Sequence, residues 1–203
     1  MIITSADIEN MERLPRVQLA TSLPGAKPVC LVGTKSLNGI TNLAPFSSIT
    51  HLGSNPMLIG MITRPATVER NTLSNIIDTK SWTLNHVHEG IMKKAHQCSA
   101  RYPVNTSEFK AVGLTEYFHA TVTAPFVEES QVKYALELED ILDIKTNGTK
   151  LVIGRVVLIN IANSELLDKD GGIDLIQSGS LASTALDTYF SLNKTAQLDY
   201  AKP

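Results

Sequence analysis

Val132-Lys-Tyr-Ala-Leu-Glu-Leu-Glu-Asp140 puts an apolar or aromatic side chain at every second place: Val132, Tyr134, Leu136 and Leu138. Asn147-Gly148 then turns the chain into Lys150-Leu-Val-Ile-Gly-Arg-Val-Val-Leu-Ile-Asn-Ile161. A period of two is that of a strand with one face on a core. Asn-Gly tolerates positive φ at both central places of a tight turn. The two strings therefore read as one long antiparallel hairpin. Working upstream, residues 28–34 form a short apolar strand, and Asn38-Gly39 is the strongest hairpin signal in the chain. The return strand is 40–44, broken at Pro45. A further strand, 57–63, follows the Ser54-Asn-Pro56 turn. Residues 81–87 and 117–123 carry β-branched and aromatic residues in strand patterns. Helical spacing is found at 67–79 (Val68, Leu73, Ile76, Ile77) and a second helix is expected at 89–97. Residues 99–114 read as loop with a short helix, and the opening to about residue 22 as a cover over one edge. Strands joined by hairpin turns, with few helices between them, predict an all-β fold with inserted helices: an antiparallel, Greek-key-type barrel.

The 203 residues suit a single domain over 1–203, with a barrel core at about 25–165 and a C-terminal extension at 166–203. That length buries a core without disulfide staples. Cys30 and Cys98 do not make a disulfide framework. A net charge of -2 argues against nucleic acid as partner, because phosphate binding needs a basic face. No apolar run is long enough to cross a bilayer, so no membrane is expected. The first ten residues lack a signal peptide's basic start and apolar run, and a reducing cytoplasm is the expected compartment.

Two strings carry binding chemistry. Asn42-Leu-Ala-Pro-Phe-Ser-Ser48 reads as a strand running into a loop with small hydroxyls. Arg70-Asn-Thr-Leu-Ser-Asn-Ile76 places a cation and a hydroxyl at a helix start. Amide and hydroxyl donors, one fixed positive charge and a helix N-terminus suit a flat, phosphorylated ligand such as flavin mononucleotide (FMN). These strings, in this order, resemble the flavin reductase-like family, whose fold is the FMN-binding split barrel. So do the next strand, ending in Leu84-Asn85, Tyr102-Pro103 with Ser107-Glu-Phe-Lys-Ala-Val-Gly-Leu-Thr115, and Gly154-Arg-Val156. Leu198-Asp-Tyr-Ala-Lys-Pro203 is similar to the family's terminal segment, and the match runs from about residue 25 to the end.

The resemblance implies that Pro45, Phe46, Ser47 and Ser48 offer backbone amides to the polar edge of the isoalloxazine. It implies that Arg70, Asn71 and Thr72 hold the phosphate, helped by Arg64. Taken alone, Arg64 and Arg70 read more readily as solvated surface cations, since most arginines are exposed; in the company of the other strings the ligand role is favoured. The chain departs from the family twice. Asn71 stands where an acidic residue is usual. The family's Arg-Gly-Gly…Tyr string is Ser183-Thr-Ala-Leu-Asp-Thr-Tyr189 here, which bears on the substrate side of the pocket. The implied activity is FMN-dependent oxidoreduction with NADH or NADPH as donor, in a homodimer with FMN at the subunit interface. A non-enzymatic FMN carrier, or a ligand-binding protein on the same barrel, is the alternative. Hydride passes between nicotinamide and flavin, so no catalytic acid or base is named. His86 with His88, and His96 with Cys98, have ligand spacing, but a core role, or a histidine lining the flavin site, is favoured over zinc. Trp82 and Phe109 read as core. Ser47 and Ser48 lack a nucleophile elbow, and no glycine-rich dinucleotide fingerprint follows a strand.

Overall fold

The computed structural model describes residues 1–65, 71–103 and 105–202. Helices α1 (Ser5–Asn10) and α2 (Arg13–Ser22) precede β1 (Lys27–Pro28), β2 (Cys30–Lys35), β3 (Thr41–Phe46), β4 (Ile49–Ser54) and β5 (Met57–Thr63). Then come α3 (Asn71–Thr79), β6 (Ser81–His86), α4 (Glu89–Gln97), α5 (Glu108–Val112), β7 (Glu116–Tyr117) and β8 (Phe126–Val127). The long hairpin is β9 (Val132–Ile144) and β10 (Thr149–Ile161), followed by β11 (Ala182–Thr184) and β12 (Thr188–Phe190).

The main sheet has seven antiparallel strands in the order β3-β2-β6-β9-β10-β5-β4. Its two outermost strands, β3 and β4, are consecutive in the chain and joined only by Ser47 and Ser48. Such a link forces the sheet to curl until its edges meet, so the barrel seam lies at that bend. The interior holds Val32, Met61, Trp82, Leu84, Leu136 and Val152, with Leu73 and Ile76 of α3 packed into it. On the outside of β2 and β6, Val29, Leu31 and Val87 pack under Ile91 of α4 and Phe109 of α5. Strand β2 is thus buried on both faces, which is why it reads as an unbroken apolar run.

Gly154 sits across from the indole of Trp82. A Cβ there would lie 2.4 Å from the ring, so only glycine admits the tryptophan. Outside the barrel, Leu52 and Leu151 close over Gly60, and Leu151 pairs with both Ile62 and Leu142 across the ladder. Leu52 and Leu142 remain 43% and 48% exposed, giving this sheet face an apolar patch.

Three expectations need correction. Strand β3 does not break at Pro45 but runs on to Phe46, with Pro45 opposite Leu31. It is an edge strand, where a missing N–H costs little. The strand expected at 117–123 is only Glu116–Tyr117. The chain then turns, with His119 Nδ1 accepting the Thr121 amide at 3.3 Å, and folds Val122, Ala124 and Phe126 onto Ala135. Strand β4, at Ile49–Ser54, was not foreseen at all, because its residues are mostly exposed and do not alternate. The expected helix at 67–79 is seen as Asn71–Thr79; its first residues fall outside the described range.

Candidate functional site

A cavity of about 710 Å³ opens where the barrel seam meets α3, a size usual for small-molecule sites. Pro45, Phe46, Ser47 and Ser48 supply one stretch of its lining, and Arg64, Asn71 and Thr72 another. Seven of the eight residues singled out from the sequence thus border one space; the eighth, Arg70, lies outside the described residues.

The lining is positioned by side-chain bonds between elements. Asn42 Nδ2 of β3 donates to Thr72 Oγ1 at 3.1 Å, fixing the first turn of α3 to the seam. That bond occupies the Thr72 oxygen as acceptor and leaves its hydroxyl hydrogen for another partner. Asn75 Nδ2 donates to Thr34 Oγ1 at 3.0 Å, so α3 is anchored to β2 as well. At the bend, Ser48 Oγ donates to the Ile62 carbonyl at 2.7 Å, and the Ile62 amide donates to the Ser48 carbonyl at 3.2 Å. Arg64, Arg101 and the first turn of α3 border the space and give it an anion-attracting side. Phe46, Leu73 and Ile62 give it apolar lining.

Glu108 of α5 also borders the cavity. It is 9% exposed, and its Oε2 accepts the Leu43 amide at 2.9 Å. Burial pushes its carboxyl above the usual range, against the pull of that amide. Burial, and secondarily the nearby Glu108 carboxyl, push the Cys98 thiol up to about 12, so it is not a thiolate nucleophile at neutral pH.

Several lining residues were not expected: Ala20, Thr21 and Pro24 from the N-terminal segment, Lys27, Thr149, and Ala185 and Leu186 from the β11–β12 turn. Lys27 Nζ donates to the Thr21 and Gly25 carbonyls at 2.9 and 3.2 Å, so its charge holds the wall together. No local signal marks these residues, since they reach the site only through tertiary folding. None of the histidines borders the cavity, which leaves the core role, of the two alternatives read from the sequence. His86 Nδ1 meets Ser180 Oγ, His88 caps α4 and meets the Glu129 carbonyl, and His96 Nδ1 meets the Tyr189 hydroxyl. Among the described residues, no three His, Cys, Asp or Glu side chains could hold a metal ion. No helix among them is long and apolar enough to cross a membrane.

Residues 25–176 match the family model of the flavin reductase like domain. The chain belongs to the flavin reductase-like family. This flavin reductase-like protein is 41% identical to a split-barrel protein of Shewanella frigidimarina assigned to the flavin reductases. The match covers 99% of this chain and 100% of that one, with a TM-score of 0.95. Nitrilotriacetate monooxygenase component B from Bacillus cereus shares the fold at a TM-score of 0.85 and 24% identity, over 98% of each chain. An FMN-binding protein from Thermus thermophilus shares it at 0.74 and 18%, over 93% of this chain and 97% of that one. The split-barrel fold is therefore the family's, and membership supports a flavin-linked, oxidoreductase-type function.

Proposed function

We propose that this protein binds FMN in the seam cavity and acts as an NAD(P)H-dependent flavin reductase or a related FMN oxidoreductase. One observation carries the reading: the Ser47–Ser48 bend and the first turn of α3, far apart in sequence, border the same space and are bonded through Asn42 and Thr72. In this reading the amides of the Pro45–Ser48 stretch meet the polar edge of the flavin ring. Thr72, Asn71, Arg64 and Arg70 receive the phosphate, the hydroxyl of Thr72 being left to donate to it. Phe46, Leu73 and Ile62 exclude water from the ring. The chemistry the bound flavin supplies is acceptance of two electrons from a dihydronicotinamide and their onward delivery. The chain then has to bind and orient, which fits a cavity without a histidine.

We also propose a homodimer, built on the apolar face of Leu52, Leu142, Leu151 and Ile62. Ile62 belongs both to that face and to the cavity lining, so a second copy seated there adjoins the site. Cytoplasmic residence fits the sequence and is part of the same proposal.

The visible spectrum of freshly purified protein, before and after adding FMN, tests the cofactor. A shifted, structured flavin band is expected, and an unchanged spectrum of added FMN overturns the reading. Steady-state oxidation of NADH and NADPH with excess FMN tests the activity. Tight FMN without turnover makes the protein a carrier instead.

A further inference from the structure

Among the described residues, Glu108 is the one carboxylate that borders the cavity. Lys27, Arg64 and Arg101 border it too, yet no ion pair among the described residues ties Glu108 to a cation. Lys27 is turned to the Thr21 and Gly25 carbonyls instead. Cys98, beside Glu108, keeps its proton and brings no positive charge. The Glu108 side chain is fixed all the same. It is 9% exposed, and its Oε2 accepts the Leu43 amide of the edge strand β3 at 2.9 Å. An ionised carboxylate has about four acceptor places, so one amide leaves most of that capacity open. A buried acceptor left without partners is costly, more so when it is charged.

The place of that bond along β3 decides what Glu108 can meet. Asn42 holds Thr72, at the proposed phosphate end. Pro45 to Ser48 border the proposed ring end. Leu43, which holds Glu108, lies between them on the same strand, where each residue advances the chain by about 3.3 Å. The part of FMN between its phosphate and its ring is a polyol chain, whose free hydroxyls are hydrogen-bond donors. An acidic side chain is a common acceptor for sugar hydroxyls in nucleotide sites. We infer that Glu108 is a binding residue for the polyol chain of the flavin, whose hydroxyls donate to the carboxylate oxygen that Leu43 does not hold. An alkyl chain of the same length would leave that oxygen buried without a donor, so Glu108 also selects for the hydroxyls. The inference rests on the proposed binding of FMN.

Fluorescence titration with FMN and with its trideoxy analogue, which has a plain alkyl chain between ring and phosphate, tests it. Both probes carry the same ring and the same phosphate, so the comparison isolates the hydroxyls. Wild-type protein should bind FMN at least about tenfold more tightly than the analogue. Glu108→Gln keeps an oxygen for the Leu43 amide and removes the charge. It should weaken FMN by about tenfold and leave the analogue within about twofold, or tighter, so that most of the gap closes. Equal losses for both probes make Glu108 a support for β3 only and overturn the inference. So does an unchanged FMN affinity in the variant, or equal binding of the two probes by wild-type protein. Should Glu108→Gln fail to fold, judged by its thermal midpoint, the wild-type preference between the two probes decides. Wild-type protein that binds neither probe sinks the cofactor reading, and the role of Glu108 with it. Bound FMN without the expected gap sinks the role of Glu108 alone.

Discussion

Thr72 shows how one side chain can be read in part from its type and in part only from its partner. A hydroxyl at a helix start is a generic donor. The Asn42 amide that occupies its oxygen is what aims its hydrogen elsewhere. Thr72→Val should weaken FMN by about 1 kcal/mol, and Arg70→Ala by about 1.5–3 kcal/mol as a charge-assisted phosphate contact. Riboflavin, which lacks the phosphate, should be nearly indifferent to both. Equal losses for the two ligands in a fluorescence titration would contradict the assignment. Two buried groups set opposing pH slopes. Burial pushes His86 down to about 4 from 6.5. The unfolded chain therefore takes that proton first as pH falls, and up to about 3 kcal/mol of stability is lost from pH 6.5 towards pH 4. Glu108 works the other way. Its folded value lies above the ordinary 4.5, so stability falls as pH rises from 4.5 through the folded value. Urea midpoints at pH 4.5 and 7 should show His86→Asn losing less in acid than wild type. Glu108→Gln should lose less towards neutrality. Unchanged slopes in either variant contradict the corresponding assignment.

Among the elements, the long hairpin was legible because its turn and its alternation agree: Gly148 takes φ 73° and Thr149 bonds back to Asn147. Gly154, quoted as part of a family string, proves to be a packing position. Gly154→Ala should destabilise the fold by about 3 kcal/mol, since the new Cβ meets Trp82 and Leu136 in a filled interior. A thermal midpoint within a degree or two of wild type would show that the indole can move aside. Where prediction failed at this scale, tertiary packing had overridden a local pattern. The β-branched and aromatic residues at 117–123 read as a strand, yet Tyr117 pairs only with Phe126, and Val122, Ala124 and Phe126 serve as a plug over Ala135. At the start of β9 the second face, read as polar, is covered too: Lys133 is buried with its Nζ on the Val127 and Glu128 carbonyls, whereas Glu137 and Glu139 further along are exposed.

For the whole molecule, the apolar face around Leu52 and Leu142 asks to be covered, and a second copy is the proposed cover. Leu142→Lys should yield monomers in light scattering, with weaker FMN binding if the partner completes the site. A dimer unaffected by that change places the interface elsewhere. Strand periodicity, Asn-Gly turns and the helical spacing of Leu73 and Ile76 are local properties, and they were enough for an antiparallel barrel with inserted helices and for most of the seam residues. The tertiary structure alone placed β3 and β4 at the two edges of one curled sheet and brought α2, Glu108 and the Ala185–Leu186 turn to the same cavity. The reason is physical: a residue's neighbours along the chain set its backbone preference, whereas the walls of a cavity come from closure of the sheet and burial of distant apolar faces, which no local window contains.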